Sequence, residues 1–240
     1  MSHATDYPLL QWTEERVRLF WDWQSRYPEV YLTYQYGGRL IAALRADLGS
    51  AKNACDYGCG TGYLLPHISR AGIEAYGADY SPDSVDAARR HASDAVPAEN
   101  ISLISDLLAS ARQFDAILSI EVVEHLDDPA LEEMLANVKR LLAPGGRFVA
   151  TTPNNERLED SFVICPASGE VFHRWQHVRS WTAESLRSRL EQSGLRVLEV
   201  RETDPTVGDP RSPKGFLRLL HRHFVVRREQ QPKLVAIATA

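Results

Sequence analysis

Cysteine is scarce in this chain: Cys55, Cys59 and Cys165 are the only three among 240 residues. An odd, widely scattered set excludes the disulfide framework that staples small secreted domains. No apolar run approaches the ~20 residues that a membrane-spanning helix requires, so no membrane span is expected. The opening residues, "MSHATDYPLLQW", lack a basic start and an apolar stretch, so no secretory leader is expected and a cytoplasmic location is. Positive charge is also short. Lys and Arg number 27 against 32 Asp and Glu, and a net charge of −5 argues against a dedicated nucleic-acid surface.

What the chain does have is apolar residue in quantity and a regular alternation. At 44% hydrophobic content and 240 residues it can bury one full core. Val17, Phe20 and Trp21 at helical spacing predict an amphipathic helix over residues 13–25, with a second helix at about 38–48 behind a loop carrying Tyr31, Tyr34 and Tyr36. From "KNACDY" onward, short strand-like runs alternate with helical ones: "GYLLPHISRAG", "IEAYGADY", "PDSVDAARRHA", "NISLIS", "FDAILSIE", "PALEEMLANVKRLLAPGG" and "RFVATT". Such alternation predicts a parallel sheet covered by helices on both faces. Residues 153–180 show little periodicity and read as a long insertion. Thr182 then caps a helix that Gly194 ends, and "RVLEVRET" and "KLVAIATA" supply two more strands around a second insertion at about 203–231.

The stretch "ACDYGCGTGYLL" sets Gly58, Gly60 and Gly62 at every second position between a strand and a helix. Glycines there let a ligand approach the backbone where a Cβ would clash. The dinucleotide fingerprint would have a small residue at its sixth position, and Tyr63 stands there instead. Asp56, just before the first glycine, would repel a pyrophosphate and suits a ligand bearing a positive amino group. Asp79 ends the next strand, 17 residues after Gly62, where an acid can accept hydrogen bonds from ribose hydroxyls.

These features, followed in order by "GADYS", "SDLL", "FDAILSIEVVEHLDDP" and "LLAPGGRFVATTPN", resemble the class I methyltransferases that use S-adenosylmethionine (SAM). The resemblance spans residues 52–154. It implies an α/β, Rossmann-like fold with a seven-stranded, mostly parallel sheet and its last strand antiparallel. It divides the chain into an N-terminal helical lid at 1–50 and a methyltransferase domain at 51–240. It also implies roles. Gly58, Gly60 and Gly62 would face the methionine and ribose, Asp56 the amino group, Asp79 the ribose hydroxyls, Tyr80 the adenine face, and Asp106 and Leu107 the adenine edge.

In an open sheet of this kind the reaction takes place at the carboxyl ends of the central strands. After "FDAILSI" come Glu121, Val122, Val123, Glu124 and His125. If that segment turns helically, Glu121, Glu124 and His125 share one face beside the cofactor. Two carboxylates and an imidazole there can hold a divalent metal, supply a general base, or position the loop. Glu-x-x-Glu-His is similar to both the ubiquinone-pathway O-methyltransferases and the Hen-type small-RNA 2′-O-methyltransferases. The latter resemblance implies a metal held by Glu121, Glu124, His125 and a downstream histidine, for which His177 in "QHVRSWT" stands at the matching place. Such a set suits Mn²⁺, Fe²⁺ or Co²⁺, and Mg²⁺ less well. His125 and Glu124 are the candidate catalytic pair.

Three other features carry a reading. Cys165, Ser168, His173 and His177 resemble a zinc ribbon in which serine replaces one ligand. Arg211, Lys214, Arg218, Arg222, Arg227, Arg228 and Lys233 form a basic run that suits a solvated helix face or a phosphate-bearing acceptor. Trp21 is expected in the core, with the neighbouring aromatics forming the lid. Together these predict methyl transfer to a hydroxyl of a small-molecule or glycan acceptor. The alternatives are 2′-O-methylation of an RNA 3′ end and SAM binding without catalysis.

Overall fold

Strand and helix follow one another where capping side chains, prolines and left-handed glycines such as Gly58 and Gly72 fall at a change of apolar period. The computed structural model describes residues 6–209, 211–221 and 232–240. Two helices come first, α1 (Glu14–Gln24) and α2 (Leu32–Leu44). The sheet region then runs β1 (Asn53–Tyr57), α3 (Leu65–Arg70), β2 (Glu74–Asp79), α4 (Pro82–His91), β3 (Ile101–Leu103) and α5 (Ile104–Ala109). It continues through β4 (Phe114–Ile120), α6 (Asp128–Leu141) and β5 (Leu142–Pro153). A short hairpin, β6 (Phe162–Ile164) and β7 (Val171–His173), precedes α7 (Ala183–Gln192), β8 (Arg196–Thr203), α8 (Pro213–His221) and β9 (Lys233–Thr239). No helix among the described residues is long and apolar enough to cross a membrane.

The main sheet has seven strands in the order β3-β2-β1-β4-β5-β9-β8, with β9 antiparallel to both its neighbours. β1 lies between β2 and β4 and is parallel to both, so the chain reverses its direction of travel across the sheet there. That reversal opens a crevice at the carboxyl ends of β1 and β4. One face is covered through Leu131, Leu135 and Val138 of α6 and Leu186 and Leu190 of α7. The other is covered through Leu40, Ile41 and Leu44 of α2, Leu65 and Ile68 of α3, and Val85 and Ala88 of α4. Local chemistry sets the helix starts. Ser81, Asp127 and Thr182 each accept a backbone N–H at the head of α4, α6 and α7.

Four expectations about elements need correction. The second helix starts at Leu32, not near 38, so Tyr34 and Tyr36 are helical; burial of Leu40, Ile41 and Leu44 carries it through two glycines. "NISLIS" is a strand only to Leu103, since Ile104 opens α5. The insertion at 153–180 is ordered by β6 and β7, whose turn uses Gly169 in the left-handed region. Finally, α1 buries none of its residues fully, so Trp21 is not a core residue.

Candidate active site

The glycine loop leaves β1 over the amino end of α3 and is stitched to β2. Gly58 and Cys59 donate their N–H groups to the Ala78 carbonyl at 2.8 and 3.0 Å. Gly60 N–H and Ser81 N–H donate to the two oxygens of Asp79 at 2.9 and 3.0 Å. Gly60 has φ +52° with open space where a Cβ would stand, whereas a Cβ on Gly62, at φ +81°, would meet the Ala88 backbone at 2.8 Å. One glycine thus keeps the crevice clear and the other lets the loop close on α4. Burial pushes the Asp56 carboxyl up to about 7, with Asp79 beside it adding to the effect. Asp79 is raised by burial as well, against the lowering effect of the backbone N–H groups it accepts.

The remaining residues expected around a cofactor are more scattered. Tyr80 follows β2 and is 56% exposed. Asp106 is exposed in the first turn of α5, and the Leu107 side chain belongs to the core. Above the loop, Tyr31 packs near Trp21 and Tyr63, and Asp79 is close enough to add to the burial that raises its hydroxyl.

At the end of β4 the chain does not turn as a helix. Glu121 takes φ +56°, which swings its side chain away from the next turn. Its carboxylate accepts from Thr151 Oγ1 at 2.8 Å and pairs with Lys233 Nζ. Lys233 is therefore not a free member of the basic run, and Glu121 does not share a metal cluster with Glu124 and His125. Arg222, Arg227 and Arg228 of that run lie outside the described residues.

Glu124 is 1% exposed, and its Oε2 accepts from Thr152 Oγ1 at 3.0 Å. Its Oε1 is buried with no hydrogen-bond partner among the described residues. Burial and the nearby Glu121 raise this carboxyl well above the usual carboxylate range. His125 is pushed down to about 3, by burial first and the neighbouring His177 next, so it stands neutral. Its Nδ1 faces the Gln176 carbonyl at 3.4 Å, and Gln176 Nε2 donates back to the His125 carbonyl at 3.0 Å. Trp21 sits edge-on to the His125 ring, centroids 4.9 Å apart, and donates its indole N–H to Gln176 Oε1 at 3.0 Å. Helix α1 thus reaches the imidazole directly.

One ligand atom each from Glu124, His125 and His177 lies within 4.8 Å of the others. Glu156, His173 and His177 form a second such group. Glu156 Oε2 lies 2.5 Å from His177 Nδ1 and Oε1 3.3 Å from His173 Nε2. Burial raises Glu156, but the two histidines outweigh it and hold it down to about 2. Cys165 enters neither cluster, because it sits at the hairpin turn, bonded through its backbone to Glu170 and Gly169. The zinc-ribbon expectation therefore lacks its cysteine. Glu156, Gln176 and the two threonines were invisible as site residues. Their only signal is position, Thr151 and Thr152 near the carboxyl end of β5 and Glu156 just beyond it.

A glycine loop at the switch point, an acid ending β2 and an acid–histidine turn after β4 define a SAM-dependent methyltransferase. Residues 26–200 match the model of a methyltransferase domain, and the chain belongs to that family. It is 32% identical over 175 residues to a ubiquinone biosynthesis O-methyltransferase of Cereibacter sphaeroides, covering 69% of each chain. Among solved structures it resembles the CcbJ methyltransferase of Streptomyces caelestis, with TM-score 0.62 and 16% identity over 92% of this chain and 97% of that one. It also resembles a DhpI–SAH complex, with TM-score 0.59 and 19% identity over 94% and 95%.

Proposed function

We propose that the chain transfers the SAM methyl group to a hydroxyl of a small-molecule or glycan acceptor, at a site that holds a divalent metal. The observation that carries this is the convergence of Glu124, His125 and His177 at the end of β4, beside the glycine loop. Glu124 Oε1 is a buried oxygen with no protein partner among the described residues, the kind of atom a cation satisfies. Each imidazole has its Nδ1 against a carbonyl or carboxylate oxygen, leaving Nε2 as the nitrogen with a lone pair. A carboxylate and two imidazole nitrogens fit Mn²⁺, Fe²⁺ or Co²⁺ better than Mg²⁺. When bound, such an ion makes an acceptor hydroxyl more acidic and fixes its direction.

The chain's own residues do the rest. Asp79 accepts the ribose hydroxyls, Gly58, Gly60 and Gly62 pass the methionine and ribose close to the backbone, and Asp56 faces the amino group. Tyr80, Asp106 and Leu107 flank the adenine, and Glu121, held by Lys233, lines the cofactor side without ligating the ion. The acceptor oxygen attacks the methyl carbon, the carbon–sulfur bond breaks toward sulfur, and the hydroxyl proton passes to water, since His125 carries its proton on Nδ1 and keeps Nε2 as its ligand nitrogen. Residues 6–50 close over this crevice as a lid, a reading that the Trp21 and Tyr31 contacts support. Support for a hydroxyl acceptor comes from the relative of Cereibacter, an O-methyltransferase by name.

Calorimetry and turnover on the purified protein test both halves. SAM should bind, and Asp79→Ala should weaken it by about 10- to 100-fold, because buried hydroxyls lose a charged acceptor worth roughly 1.5–3 kcal/mol. Methyl transfer to a panel of phenolic and sugar hydroxyls should stop in excess EDTA and return with Mn²⁺, and His125→Ala should abolish it. Full activity of a metal-free, EDTA-treated sample would sink the metal. Methylation confined to the 3′ end of a short RNA would overturn the acceptor class.

A further inference from the structure

His177 belongs to both three-residue clusters, yet only one of them can take an ion. His173 decides which. Its Nδ1 accepts two backbone N–H groups, from Trp175 and from His177 itself, each at 3.2 Å. A neutral imidazole carries one proton, so with Nδ1 accepting, the proton is on Nε2. That nitrogen has no lone pair to give. It is buried, its approach to Glu156 Oε1 at 3.3 Å is oblique, and no other acceptor among the described residues meets it. The Glu156, His173 and His177 group is therefore closed to a metal at His173.

The second oxygen of the same carboxylate meets His177, whose ring stacks on that of His173. Glu156 Oε2 lies 2.5 Å from His177 Nδ1, and an ionised carboxylate only accepts. His177 must then carry its proton on Nδ1 and its lone pair on Nε2. We infer that Glu156, braced by His173, is a positioning residue that fixes the His177 tautomer and so presents His177 Nε2 as a ligand alongside Glu124 and His125. This rests on the reading of those three residues as the ion site. A carboxylate that orients a ligating histidine in this way raises its basicity and holds its ring direction. The brace is anchored in the main chain, because the two amides that lock His173 come from the same turn that carries His177.

Proton-coupled nitrogen-15 spectra of the labelled, metal-free protein read the tautomers without any turnover. The wild type should show His173 as Nε2–H and His177 as Nδ1–H. Glu156→Gln keeps the size but offers one acceptor and one donor. Since His173 demands the acceptor, the amide NH₂ falls to His177, which should switch to Nε2–H. Mn²⁺ affinity, followed by its paramagnetic resonance signal, should then drop by about 10- to 100-fold. Glu156→Asp retains the carboxylate and should keep the Nδ1–H form. An Nε2–H His177 in the wild type, or an unchanged tautomer in Glu156→Gln, overturns the inference, as does undiminished Mn²⁺ affinity after the switch. Tautomers as expected in a wild type that binds no Mn²⁺ would uphold the brace and remove the ion instead.

Discussion

Asp56 shows how much a single buried side chain can reveal about conditions. Its carboxyl, 3% exposed, is pushed up to about 7 by burial and by Asp79. The unfolded chain loses this proton near the ordinary value of 3.8, so between about pH 4 and 7 the folded state holds a proton that the unfolded state does not. The stability it contributes is therefore complete below pH 4 and lost as pH rises through 7, by up to about 1.4 kcal/mol per unit. Urea unfolding of the cofactor-free protein at pH 4.5 and 7 should show this fall, and Asp56→Asn should flatten it. A fall of equal size in Asp56→Asn would assign the effect to other groups. Residue types were legible here because the glycine turn after β1 and the acid ending β2 stand at a spacing with a chemical meaning. Rotation at one φ was not: Glu121 turns away from Glu124 through a left-handed backbone that no spacing rule anticipates. Lys233, 112 positions later, then captures it.

At the scale of elements, the loop between β1 and α3 couples binding to packing. Gly62 touches α4, where an added Cβ would sit 2.7 Å from the Ala88 Cβ and 2.8 Å from its Cα. The backbone there has φ +81°, so Gly62→Ala combines overpacking with left-handed strain, about 2–4 kcal/mol in total. A urea midpoint lowered accordingly, with SAM affinity reduced in the fraction that folds, is the expected result; wild-type stability would contradict it. The elements read best in sequence were those with caps, such as α7 behind Thr182 or α4 behind Ser81. Short ones were missed for a physical reason. β6 and β7 have three residues each, too few for a period to show, and pairing with one another makes them strands.

Across the whole molecule, the resemblance already implied a seven-stranded, mostly parallel sheet with its last strand antiparallel, while the order of the strands is read from the structure. The active centre was half legible. Glu124 and His125 stand together in sequence, whereas Glu156, His173 and Gln176 reach them only through the fold. Gln176 is where these distant parts meet, 1% exposed at φ +62°. It binds the α1 indole with its side-chain oxygen and the His125 carbonyl with its side-chain nitrogen, while its own carbonyl faces the His125 ring. Release of α1 therefore takes away contacts that hold the imidazole in place. By thermodynamic reciprocity, whatever grips His125 through this contact must also favour docked α1, by the same free energy. Exchange of the Trp21 indole proton with deuterated solvent should slow when the acceptor site fills and quicken in Gln176→Ala. Equal exchange rates in all three states would uncouple the two ends. On that coupling, entry of acceptor and escape of product would each wait for α1 to part, and turnover would follow the rate of that parting.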